Sequence, residues 1–190
     1  MNKDEFRREM RHIRGEYARE KGRWLRSCAD ACENVTCSNE YKESNVIALY
    51  ASILNEPLTS IIDMHARENG KTVAYPRVEN DDIIFYQANV IDLVPGTFGI
   101  SEPDGEGDPI DPQSIDFILI PGLAFTLNHE RLGQGKGHYD RFIPKLRKDC
   151  HTVGFALDVQ IVHEVPIDPW DISMDAVITE SGFVNRVTWV

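Results

Sequence analysis

Asn45-Val46-Ile47-Ala48-Leu49-Tyr50-Ala51-Ser52 opens the stretch that decides the fold, and Thr59 to Asn69, Gly70, Lys71 to Tyr75 and Pro76 complete it. The first run is apolar and too short for a helix of ordinary length, so it reads as a buried strand. Pro57 and Thr59 are helix-start residues, and Gly70 is a helix stop. Lys71 to Tyr75 is the second strand, ended by Pro76. A strand, a helix and a strand within about thirty residues make a βαβ unit, which implies parallel pairing and a right-handed crossover.

Working outward, more strands fall on either side. Ile83 to Tyr86 and Ala88 to Leu93 read as short strands, and Pro95 to Pro112 as a loop rich in Gly, Pro and Asp. Ser114 to Ile120 is a strong strand stopped by Pro121-Gly122. A helix over Tyr139 to Lys148, strands at His151 to Phe155 and Ala176 to Thr179, and an edge over Asn185 to Val190 follow; Ile161 to Val165 is ambiguous. Near the N-terminus, Phe6, Met10, Ile13 and Tyr17 recur at helical spacing as one apolar stripe. Lys3, Arg7, Arg11 and Arg14 project from neighbouring positions. Trp24, Leu25 and Cys28 extend the helix across a weak point at Gly22, and residues 34–45 form a loop or a short helix start. The sum is a single α/β domain over residues 1–190, Rossmann-like and three-layered. Its sheet is mainly parallel, flanked by helices, and preceded by an N-terminal helix. Such folds bind ligands beyond the C-terminal ends of their strands.

Charge and composition exclude several classes. Net charge is −11, which argues against a non-specific nucleic-acid binder. The excess is uneven: residues 1–26 hold nine Lys or Arg against five Asp or Glu, a basic helix on an acidic body. No apolar run spans a bilayer, and the first residues lack the apolar core of a secretory signal, so a cytoplasmic protein free of membrane is expected. Cys28, Cys32, Cys37 and Cys150 lack the second ligand pair of a zinc site and read as free thiols.

The chemistry gathers in Arg131-Leu132-Gly133-Gln134-Gly135-Lys136-Gly137-His138-Tyr139-Asp140-Arg141. Three alternating glycines ahead of a helix let backbone amides approach an anion, and Arg131 and Lys136 add fixed charge. The spacing is neither a Walker A loop nor a dinucleotide fingerprint, so it marks a phosphate site of open identity. Asp140 suits either Mg²⁺ coordination or helix capping. Asp171 is a second loop carboxylate, with Asp158, Asp168 and Asp175 as competitors. Glu56 follows the first strand, where a carboxylate can orient an N–H-bearing group. No catalytic triad, G-x-S-x-G elbow or H-E-x-x-H pair is present.

These residues resemble the 5-formyltetrahydrofolate cyclo-ligase family from Lys3 to about Glu180. The matching segments are Lys3-Asp4-Glu5-Phe6-Arg7, Tyr50 to Thr59, Gly99-Ile100-Ser101-Glu102-Pro103, Ile120 to Phe125 and the glycine loop. The resemblance implies an ATP-dependent ligase that closes 5-formyltetrahydrofolate into 5,10-methenyltetrahydrofolate. ATP is then the co-substrate, Mg²⁺ the cofactor and reduced folate the substrate, with no nucleic-acid or membrane partner, in a monomer or homodimer. It assigns catalysis to Arg131 and Lys136, and folate contacts to Ala51, Glu56, Gln134, Gly135, Gly137 and His138. ATP contacts fall on Lys3, Arg7, Arg131, Leu132, Gly133, Gln134, Gly135, Lys136, Gly137, His138 and Tyr139. Asp140 and Asp171 become the Mg²⁺ ligands, and Phe98 or Tyr139 would stack on the pterin. Three positions depart from the family pattern: Thr126 stands for Asp, His129 for Gly and His138 for Tyr. The alternative is a divergent ATP-dependent ligase or kinase acting on another small formylated or carboxylated metabolite.

Overall fold

The structure, a computed structural model, describes residues 2–96 and 99–186. Two helices open the chain, α1 (Lys3–Arg19) and α2 (Lys21–Cys37), where the sequence suggests one continuous helix. The break falls at Glu20, whose ψ of 75° leaves the helical region, two residues before Gly22. Asn2 starts α1 with a capping box: its side chain accepts from the Asp4 and Glu5 amides, and the Glu5 carboxylate accepts from the Asn2 amide. A short α3 (Asn39–Glu43) occupies the segment read as loop or helix start.

The expected βαβ unit is formed by β1 (Val46–Ala48), α4 (Ser60–Glu68) and β2 (Thr72–Glu79), with β1 and β2 parallel. β2 does not stop at Pro76. It runs on to Glu79, paired antiparallel with β3 (Asp82–Gln87). The β1 pairing ends at Ala74, so beyond that point β2 has a neighbour on one side only. A residue without an N–H is tolerated there as it is at a sheet edge.

The main sheet is completed by β6 (Phe117–Pro121), β9 (His151–Phe155), β11 (Ala176–Thr179) and β12 (Gly182–Phe183). Its order is β12-β11-β9-β6-β1-β2-β3, parallel except for the antiparallel strand at each edge. The edge beside β11 is therefore Gly182–Phe183; residues 187–190 of the expected edge lie outside the described residues. Ala88 to Leu93 holds a 3-10 turn, Val90–Asp92, in place of a strand. The expected helix over Tyr139 to Lys148 is only α5 (His138–Phe142), followed by a 3-10 turn at Ile143–Lys145, because Pro144 cannot donate to a continuing α-ladder. Two short pairings complete the strands. β4 (Val94–Pro95) and β5 (Ser101–Glu102) form one, and β7 (Ala124–Thr126), β8 (Arg131–Leu132) and β10 (Ile161–Val162) form the other.

Period-two alternation sorts the core into two faces. Ile47, Val73, Tyr75, Phe117, Leu119, Val153 and Phe155 point to one side, against Cys28, Ala31, Cys32 and Val35 of α2 and Ile62 and Ala66 of α4. Ala48, Ala74, Ile118, Ile120 and Val177 point to the other, with Phe85, Phe125, Phe142 and Leu146. The sheet is buried on both faces, which is why its strands read as unbroken apolar runs. No described helix is long and apolar enough to cross a membrane.

Two departures from the family pattern are absorbed locally. Thr126 Oγ1 accepts from the Asn128 and Glu130 amides, doing a turn-closing aspartate's work. His129 has a φ of 65° and is held by its ring: one nitrogen lies 2.8 Å from the Val184 carbonyl, and the other accepts from Arg186 Nε at 3.0 Å.

Candidate active site

The C-terminal ends of β1, β2 and β6 open into one cavity of about 880 Å³. Every residue assigned a site role by the sequence lines it, apart from Phe98, which lies outside the described residues. From α1 come Lys3 and Arg7; from the loop after β1 come Tyr50, Ala51, Ile53 and Glu56. The loop from Arg131 to Arg141 supplies the third side, and Asp168, Trp170 and Asp171 the fourth.

The glycine loop bends by using backbone that side chains resist. Gly135 has φ +102° and Gly137 φ +66°, and a Cβ on Gly135 would stand 3.1 Å from Arg7 Cζ. Arg7 Nε donates to the Gly133 carbonyl at 3.1 Å, and the Arg11 guanidinium donates to Gln134 Oε1 at 2.9 Å. α1 thus clamps the loop it faces. α5 is barely more than one turn, so its dipole is weaker than the long helix read from the sequence would supply.

Charge is arranged in compensated pairs. Arg131, buried beneath the loop, donates to Asp140 Oδ2 at 2.9 Å, while Asp140 Oδ1 accepts from the Ile172 amide. Lys3 Nζ bridges Asp168 at 2.6 Å and Asp171 at 2.5 Å. Burial works against the Lys3 ammonium, but the hydrogen bonds and charges of the two aspartates outweigh it, and its pKa ends above the ordinary lysine value. Burial, helped by Arg141, lowers the pKa of His138, so its imidazole is neutral at neutral pH and can donate or accept one hydrogen bond. Burial pushes the Tyr139 hydroxyl well above its ordinary range, keeping it a protonated donor.

Beneath the cavity lies a polar network that the sequence does not reveal. Arg14, which the helical pattern places with Lys3, Arg7 and Arg11, is 1% exposed. Its Nε donates to Asn55 Oδ1 at 2.8 Å, and its guanidinium stands 3.8 Å from the Glu56 carboxylate, which is itself 5% exposed. Burial raises the pKa of Glu56, while Arg14, the Ile53 amide and Gln134 pull against that rise. The one available signal was geometric: Lys3, Arg7, Arg11 and Arg14 follow one another at spacings of four, four and three, one helix face that meets the loop and then the interior. Pro76, Val78 and Ile83 of the β2–β3 hairpin, with Ile100 and Glu102 of the family-matching loop, form a further wall of the cavity to which the sequence assigned no site role.

A glycine loop among cations, opening at the ends of parallel strands, defines the class: an α/β protein built to hold phosphorylated ligands. The model of the 5-formyltetrahydrofolate cyclo-ligase family matches residues 1–180. A probable 5-formyltetrahydrofolate cyclo-ligase of Caenorhabditis elegans is 30% identical over 192 residues, 94% of this chain and 92% of that protein. The 5-formyltetrahydrofolate cyclo-ligase of Mus musculus is 29% identical over 172 residues, 83% and 84% of the two chains. The solution structure of a 5,10-methenyltetrahydrofolate synthetase from Aquifex aeolicus superposes with a TM-score of 0.84 at 33% identity, covering 100% of this chain and 95% of that one. The chain belongs to the 5-formyltetrahydrofolate cyclo-ligase family.

Proposed function

We propose that this chain carries out the reaction for which its family is named. It closes 5-formyltetrahydrofolate to 5,10-methenyltetrahydrofolate at the expense of ATP, releasing ADP and phosphate. The observation that carries the reading is the meeting of Lys3, Arg7, Arg131, Lys136 and the glycine loop with Glu56 in one cavity. Its volume lies toward the upper end of the roughly 300–1,000 Å³ typical of ligand sites.

The chemistry explains why a phosphate site and a carboxylate belong together. The formyl oxygen on N5 is a poor leaving group as hydroxide. Transfer of the γ-phosphoryl to that oxygen breaks the bond to ADP and makes the oxygen a phosphate. N10 then attacks the formyl carbon and gives up its proton, phosphate departs, and the N5–C–N10 unit is left as a cation. The protein's work is positioning and charge stabilisation. Lys136, Arg131 and the loop amides hold the phosphoryl group, Lys3 and Arg7 its neighbours. His138 and Tyr139 offer hydrogen bonds near the formyl end. An ionised Glu56 favours the cation that develops as the ring closes.

Mg²⁺ suits the donor chemistry. Asp140 and Asp171 are hard oxygen donors beside the anion loop, and each carboxylate has acceptor capacity beyond the bonds it makes. Among the described residues no group of three or more ligating side chains gathers, so phosphate oxygens would complete the set. When bound, the ion screens phosphate charge.

Absorbance at the methenylfolate band tests the reading, with purified protein, 5-formyltetrahydrofolate, ATP and Mg²⁺. A rise that needs both ATP and metal is expected, and Lys136→Ala should lower kcat by roughly 100-fold. A flat trace from folded, ATP-binding wild type sinks the proposal and returns weight to another ATP-dependent ligase or kinase; unchanged kinetics in the variant reject the role of Lys136.

A further inference from the structure

The Glu102 carboxylate lines the cavity and is 4% exposed, yet its Oε1 is buried with no hydrogen-bond partner among the described residues. An unsatisfied buried acceptor is destabilising, so its retention calls for a donor that arrives from outside. Its backbone is held by pairing. Glu102 pairs with Val94 across β4–β5, with Ser101 turned outward, and the next residue's carbonyl accepts from Arg77 at 2.7 Å. Gly96 makes room for the group: a Cβ there would stand 2.4 Å from the Glu102 carboxylate, so no larger residue fits without displacing it. In the same cavity Pro76, Val78, Ile83 and Ile100 supply apolar lining suited to one face of a flat ring. No ion pair reaches Glu102 among the described residues. Glu56, the other cavity glutamate, already accepts from the Ile53 amide and lies beside Arg14.

We infer that Glu102 is a substrate-binding residue that accepts hydrogen bonds from the amino group and adjacent ring N–H of the pterin, seated against the Pro76–Val78–Ile83–Ile100 wall. The inference rests on the folate reading proposed above and deepens it. The choice of ring follows from donor pattern. A pterin offers two neighbouring N–H donors along one edge, matching two carboxylate oxygens. Adenine sets its amino group beside ring nitrogens that are acceptors, which a carboxylate repels.

The test is Glu102→Gln, which keeps shape and replaces one acceptor by a donor. The KM for 5-formyltetrahydrofolate should rise about 10- to 100-fold, the loss expected for a hydrogen bond to a charged group. The KM for ATP should hold within about twofold of wild type, and the thermal midpoint should not fall. A 2-desamino analogue of the substrate should bind wild type weaker by a similar factor, and should lose little more in the variant, since the two changes remove one contact. Folate KM unchanged in Glu102→Gln, ATP KM rising in its place, or full additivity between the two changes overturns the assignment. Calorimetric binding of 5-formyltetrahydrofolate to wild type without ATP separates the two levels. No binding there refutes the folate reading itself, whereas binding that Glu102→Gln leaves intact refutes only the role of Glu102.

Discussion

Replacing Arg14 with methionine probes the network under the cavity. Arg14 and Glu56 are 1% and 5% exposed and stand 3.8 Å apart, with little solvent to screen either charge. Methionine fills similar space but leaves Glu56 without its cation, and breaking a buried pair in this way costs about 3 kcal/mol or more. The bonds from Arg14 to Asn55 and to the Gly122 carbonyl are lost as well, at about 1 kcal/mol together. The pH dependence separates the two parts. Burial already raises the pKa of Glu56 above its unfolded value, and without Arg14 that rise is larger. A raised carboxyl binds more protons folded than unfolded, so stability falls as pH climbs from the unfolded value through the folded one. The deficit of Arg14→Met should therefore be about 1 kcal/mol at about pH 3.5, below the unfolded value, where the carboxyl is largely protonated in both states, and open to about 3–4 kcal/mol near pH 8. Urea unfolding at a series of pH values reads this directly, and Arg14→Met/Glu56→Gln should recover most of the alkaline loss. A deficit of the same size at both ends of the range, or no recovery in the double variant, would refute the coupling.

Two other outcomes follow from the geometry. Gly135→Ala must place a side chain at φ +102° and 3.1 Å from Arg7; it should cost about 1–2 kcal/mol in thermal or urea unfolding and raise the KM for ATP several-fold. Asp116 accepts from the Asn45 and Val46 amides and from Arg147; burial opposes its charge, but these bonds prevail and hold its carboxyl below the usual value. Its stabilisation is then present at neutral pH and is lost as pH falls through that depressed pKa. Asp116→Asn should cost about 1–2 kcal/mol at pH 7 after allowance for solvent screening, and the gap to wild type should close on the acid limb of an unfolding titration.

The βαβ unit and most of the strand positions were legible because local signals carry them: apolar runs of strand length, a helix between a proline start and Gly70, and glycines punctuating the phosphate loop. The same signals misread elements whose limits depend on neighbours. Pro76 looked like a stop, yet β2 continues because β1 has already ended beside it. The helix after Gly137 looked long until Pro144 cut it.

Residue identity and short-range spacing thus determined the family motifs, the βαβ unit and the glycine loop with Arg131, Lys136 and Asp140, since each rests on residues near one another in the chain. Tertiary structure alone decided the rest. Lys3 meets Asp171 across 168 residues, Arg14 turns inward beneath Glu56, and Glu102, which lines the cavity, keeps a buried Oε1 without a hydrogen-bond partner among the described residues. Burial sets the energetic weight of a charge, and burial is a property of what packs around a residue, which no spacing along the chain encodes.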